Sequence, residues 1–201
     1  MKSYPSWDQV RADLGDKVVA AFVEAVALTR ADLTLYREAF PGWVARHSER
    51  GLANWIHDAF WAHAAAILDG VPGVTLVDRE PRREIGIGYS YRIRLKRHHL
   101  DGHVATYPTE GALEFLAQPA QETFDGLSET HLIAGYEWDE DTRAIGDALI
   151  SLRDGSVIIW KEPLVDDEED GGVVAVPSVR GPVPPVISDP AAAEQERADL
   201  S

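Results

Sequence analysis

The chain has no cysteine among its 201 residues. That excludes disulfides, thiolate nucleophiles and thiolate metal sites together, and it fits a reducing compartment. No apolar run approaches the ~18 residues needed to span a bilayer. The opening Met-Lys-Ser-Tyr-Pro-Ser-Trp-Asp lacks the apolar stretch of a secretory leader. A cytoplasmic protein without membrane contact is therefore expected. Specific catalytic signatures are missing too. No Gly-x-Ser-x-Gly elbow occurs. Gly86-Ile-Gly88 lacks a third glycine and opens no helix. Asp78, Glu80 and Glu84 resemble part of a metal-dependent nuclease core, but the strand reads Arg92-Ile-Arg94-Leu-Lys96, without the Glu-x-Lys such a core needs. No catalytic residue and no cofactor can be assigned from these motifs.

What is abundant is negative charge, and it is unevenly placed. Up to Lys161 there are 17 basic and 24 acidic residues, a net of −7; from Glu162 onward there are 2 and 10, a net of −8. The total of −15 opposes direct nucleic-acid or anionic-lipid binding, since both are polyanions. The acidic run Asp166-Asp-Glu-Glu-Asp170 separates a patterned body from a segment in which hydrophobic periodicity fails and proline accumulates. One α+β domain over 1–165 is expected, followed by a disordered, acidic, proline-rich tail over 166–201.

The body's pattern predicts its elements. Ser6-Trp-Asp-Gln9 has the spacing of a capping box. Val18, Val19, Phe22, Val23 and Val26 then recur at helical spacing, with Gly15 as a kink and Pro41-Gly42 as a stop. A second helix runs from about 48 to 69. Its apolar arc holds Leu52, Trp55, Ile56, Ala59, Phe60, His63 and Ile67, opposite Asn54, His57, Asp58 and Trp61. Beyond Gly73 the period becomes two: strands are predicted over 74–79, 84–97, 131–138, 145–152 and 156–160, the last two joined at Asp154-Gly155. A short helix over 109–116 should turn Leu113 and Leu116 inward. The predicted fold is two N-terminal helices on a mostly antiparallel five-stranded sheet, with one short helix between strands.

Three clusters are candidates for function, each with a structural alternative. His98, His99, Asp101 and His103 carry metal-binding side chains within six residues, yet the stretch also looks like a solvated loop turning at Asp101-Gly102. Asn54, His57, Asp58 and Trp61 form a polar helix face that suits a partner, since Trp61 would otherwise meet water. Arg92, Arg94 and Lys96 form a basic stripe on the polar side of a strand; it could hold an acidic partner, or simply be neutralised by neighbouring carboxylates. His63, on the apolar arc, reads as a hydrogen-bonded core histidine.

Several landmarks occur in a fixed order: Val71-Pro-Gly-Val74, Arg92-x-Arg94-x-Lys96, Tyr107-Pro-Thr109 with Phe115 and Gln118, Gly126-Leu127, Gly135-Tyr136 and Trp160-Lys-Glu-Pro-Leu164. Over roughly 46–164 this order resembles a family of small bacterial proteins found on mobile elements and in actinobacteria. Their genes often adjoin one for a helix-turn-helix domain fused to an ImmA/IrrE-type zinc metallopeptidase. The resemblance implies one member of a toxin–antitoxin-like or phage-defence pair that acts through a protein partner of that type. It brings no catalytic residue with it. A metal-dependent hydrolase or nuclease toxin is the alternative expectation.

Overall fold

Ser6 starts the first helix as its spacing predicts. Its hydroxyl accepts from the Gln9 N–H (3.3 Å), and the Gln9 side chain accepts from the Ser6 N–H (2.9 Å). The computed structural model describes residues 3–79, 82–104, 106, 109–118 and 129–165, all within one compact unit, Met1–Asp167. The expected tail over 166–201 lies outside the described residues, as do Tyr107 and Gly126-Leu127.

Helix α1 (Trp7–Leu14) ends at Gly15, whose φ of 74° is open to glycine and strained for other residues. The expected kink is thus a full break before α2 (Asp16–Ala39). Pro41 then opens a single turn, α3 (Pro41–Val44), in place of a loop. Ser48 caps α4 (Glu49–Leu68) by accepting from the Gly51 N–H (3.1 Å). Six strands follow: β1 (Val74–Arg79), β2 (Arg82–Ile87), β3 (Tyr91–His99), β4 (Thr130–Asp139), β5 (Ala144–Asp154) and β6 (Val157–Pro163). Helix α5 (Glu110–Leu116), capped by Thr109, lies between β3 and β4.

The fold is α+β, but the sheet is six-stranded and mixed, where five mostly antiparallel strands were expected. Strand order follows the chain, β1 to β6, and every neighbouring pair is antiparallel except β3 with β4. The predicted strand over 84–97 is in fact a hairpin. Its loop is Gly88-Tyr89-Ser90, with Gly88 at φ 55° and Ile87 paired with Tyr91. Because the loop holds an odd number of residues, both flanking strands keep their inward parity. Alternation therefore reads straight through the turn, and Tyr89, which that alternation would place on the core face, is 85% exposed.

One sheet face, the inner, packs on α1, α2 and α4 through Phe22, Leu33, Ile56, Phe60, Ile85, Ile93, Leu132, Trp138 and Ile150, all buried. Burial of each such side chain contributes about 1.5–3 kcal/mol. The outer face carries a smaller cluster of Val104, Phe115 and Ile133, with Leu116 partly buried against it. Leu113, expected inward, is exposed, and Phe115 takes its place. Gln118 ties the end of this crossover to the sheet, donating to the His131 and Arg153 carbonyls (both 2.7 Å) and accepting from the His131 N–H (3.0 Å).

Candidate functional site

On the outer face the basic stripe meets a buried carboxylate. Glu84 of β2, with its side chain 4% exposed, accepts from Arg94 Nε (3.0 Å) and NH2 (2.5 Å) and from Arg92 NH1 (3.3 Å). Arg92 Nε also donates to Glu129 (2.6 Å). The Arg94 guanidinium donates to the Gly111 carbonyl of α5 (3.1 Å) and lies 4.0 Å from the centre of the Phe115 ring. His131 stacks on the same ring at 4.5 Å and 3°. Burial pushes the Glu84 carboxyl up, but the bonds and charge of Arg94, with Arg82 and Arg92 behind it, outweigh burial and hold it below the ordinary range. Arg92 and Arg94 are therefore committed to internal partners and fasten α5 to the sheet. An open cleft of about 280 Å³ remains beside them. Lys96 differs. No described carboxylate pairs with it, and burial followed by the Arg94 charge lowers its pKa.

The α4 face is not the water-facing surface its helical wheel suggests. Asn54 and Asp58 are exposed, but Trp61 is buried at 4% exposure because that flank of α4 lies over β1 and β2. Trp61 Nε1 donates to Asp78 Oδ2 (2.9 Å), and Arg83 pairs with both Asp78 (3.1 Å) and Asp58. The expectation of a partner-facing Trp61 is corrected by this packing. His57 is half-buried; burial first, then the charges of Lys96 and Arg83, push it down to about 4, so it is neutral near pH 7. The charge of Lys96 thus reaches His57. The Asp78 carboxyl is held low by the Trp61 bond first; desolvation opposes this, and the bond and charge of Arg83 add to the lowering. In Trp61→Phe it is expected to titrate at higher pH, measured from its side-chain carbon shift. An unchanged titration would mean that Arg83 alone sets it.

The histidine-rich stretch is divided by strand alternation. His98 is fully buried on the outer face and shares a hydrogen bond with the Ser151 hydroxyl (2.9 Å); burial, then the Arg153 charge, pushes it down to about 3. His99 meets Glu140 (2.8 Å) and stacks on His103 at 5.8 Å, while Asp101 accepts from the His103 backbone N–H (2.8 Å). Among the described residues no three His, Asp or Glu side chains are grouped so as to hold a metal ion. Asp78 pairs in register with Arg83, and Val77 with Glu84. Asp78 and Glu84 therefore lie on opposite sheet faces and cannot share one cation. His63, read from the sequence as a core histidine, is half-buried and bonded to Asp32 (2.7 Å).

One feature escaped the pattern reading. At the corner between α2 and α3, Phe40 and Trp43 stack at 5.0 Å and 21° while 47% and 62% exposed, and Leu35, earlier on α2, is 62% exposed. Tyr36 joins them to the body, 6.0 Å from Phe40 and stacked on Trp55 at 4.7 Å, with its hydroxyl bonded to His47 (3.0 Å). The signal was present as Phe40-Pro-Gly-Trp43, two aromatics astride a helix stop.

No protein-family model, curated protein or solved structure matches this chain. Among the described residues no helix is long and apolar enough to cross a membrane.

Proposed function

We propose that this protein is a non-enzymatic member of a two-protein toxin–antitoxin-like or phage-defence pair, acting by binding a helix-turn-helix/metallopeptidase-type partner. The partner class comes from the resemblance over roughly 46–164. The observation that carries the mode of action is a contrast within the molecule. Arg92, Arg94, Glu84, Asp58 and Asp78 pair with one another or with neighbours, whereas a stacked aromatic pair stands in water. Exposed, well-supported aromatics are what interface hot spots are made of.

The test is co-expression of the native two-gene unit with a tag on this chain. The partner is expected to co-purify in stoichiometric amount through gel filtration. Failure to co-purify would remove the reading. So would growth arrest by this chain alone that His99→Ala or Asp101→Ala relieves, since that result belongs to a metal-dependent hydrolase or nuclease toxin.

A further inference from the structure

We infer that the α2–α3 corner docks a partner-protein segment in which apolar side chains alternate with carboxylates. This rests on the interaction reading above and names the chemistry of the surface that performs it.

The apolar part of the argument is geometric. Phe40 and Trp43 expose a stacked aromatic surface at the α2–α3 corner, and Leu35 is exposed on the preceding stretch of α2. The rings are held rather than free. Phe40 and Trp43 stack on each other, Tyr36 is sandwiched into the body by Trp55, and Val44, in the same turn as Trp43, is buried. A preorganised platform loses little side-chain entropy on binding, so its apolar area converts into affinity more fully than that of a mobile patch.

Charge selects the occupant. Arg37 lies three residues before Phe40, Arg46 three after Trp43 and Arg50 four further on, and none pairs with a carboxylate among the described residues. Arg37 donates to the Arg143 carbonyl and Arg46 to the Gly42 carbonyl (2.9 Å). Glu49 is already engaged by Arg97 (3.7 Å) and Arg143 (3.0 Å), while Glu38, near the end of α2, has no such pair among the described residues. A locally cationic rim around apolar rings stands out on a chain of net charge −15. An acidic amphipathic segment would satisfy both parts at once. A second copy would not. A two-fold contact through this corner would oppose the same arginines to one another. Nucleic acid would suit the rim but must overcome the overall negative charge.

The experiment titrates the full-length, nitrogen-15-labelled chain with two short synthetic peptides sharing one amphipathic leucine pattern, one with glutamate and the other with lysine at the polar positions. Trp43 is the most exposed indole, and its N–H cross-peak should move with the glutamate peptide alone. Binding should weaken at least tenfold in Trp43→Ala and in Arg46→Glu/Arg50→Glu, and it should fall as salt rises. All three substituted side chains are exposed, so the variants should fold. Equal binding of both peptides, no binding of either, or unchanged affinity in both variants would overturn the inference. The native partner separates this from the broader proposal. Co-purification that survives in Trp43→Ala removes the corner and keeps the pair. Loss of co-purification in the wild type removes the pair, and the peptide titration still decides the corner.

Discussion

Gly135→Ala is expected to lower folding stability by more than about 4 kcal/mol, a size reserved for gross steric or network failures. A methyl group on Gly135 would stand 1.7 Å from the Lys96 carbonyl oxygen and 3.0 Å from His98 Nδ1. The first neighbour is backbone, so no rotamer change relieves it. Strands β3 and β4 would have to separate at the Lys96–Gly135 pair, the middle of the one parallel ladder in the sheet. Overpacking in a core typically costs about 1–3 kcal/mol when side chains can shift; here the chain itself must move. For a domain of this size the loss corresponds to a fall in Tm of at least about 10 °C. Gly111→Ala is the control, because nothing lies within 4 Å of its added carbon. It should be neutral, or slightly stabilising through helix propensity. Urea unfolding of the three proteins measures the effect. A loss below about 1 kcal/mol in Gly135→Ala would mean that the strands do not approach this closely.

The same glycine shows what kind of information the chain displays locally. Elements set by neighbours a few residues apart were legible: the Ser6 capping box, the short helix starting at about Thr109, and the hairpin at Asp154-Gly155 all stand close to where spacing put them. Elements set by partners far along the chain were not. The parallel pairing of β3 with β4 depends on how the crossover through α5 returns, and nothing within either strand encodes that choice. The turn at Gly88-Tyr89-Ser90 was hidden because a three-residue loop preserves parity. Trp61 was misplaced for a related reason. A helical wheel locates an apolar arc but does not show how far a sheet extends beneath it, and β1 with β2 reaches under the Trp61 flank. For the candidate site, the stripe of Arg92, Arg94 and Lys96 was visible as alternation. Neutralisation by neighbouring carboxylates was the structural alternative, but which carboxylate does it was not legible, since Glu84 reaches the two arginines across a strand pairing that the hairpin creates.

That cross-strand pairing supports the second large effect. Glu84→Gln should destabilise the fold by about 2–3 kcal/mol near pH 7. Breaking a buried ion pair from one side typically costs about 3–5 kcal/mol. The figure is reduced here because Arg92 is 43% exposed and can recover water, while Arg94, at 19%, can recover less. Arg94 would keep the Gly111 carbonyl and the Phe115 ring, so α5 should remain attached but be more easily opened. The pH dependence gives the mechanism a sign. The folded-state Glu84 carboxyl titrates below its ordinary value near 4.5. Between the folded and unfolded values the unfolded chain binds more protons, so stability rises with pH there. The contribution is complete above the unfolded value and fades as pH falls through the folded one. The difference in unfolding free energy between wild type and Glu84→Gln should therefore be constant from neutral pH down to about 5, then shrink as acid protonates the wild-type carboxylate. Urea unfolding of both proteins from pH 7 to pH 3 tests this. A difference that stays constant throughout would show that Glu84 contributes through shape and hydrogen bonding alone, and that its charge does not hold Arg92 and Arg94.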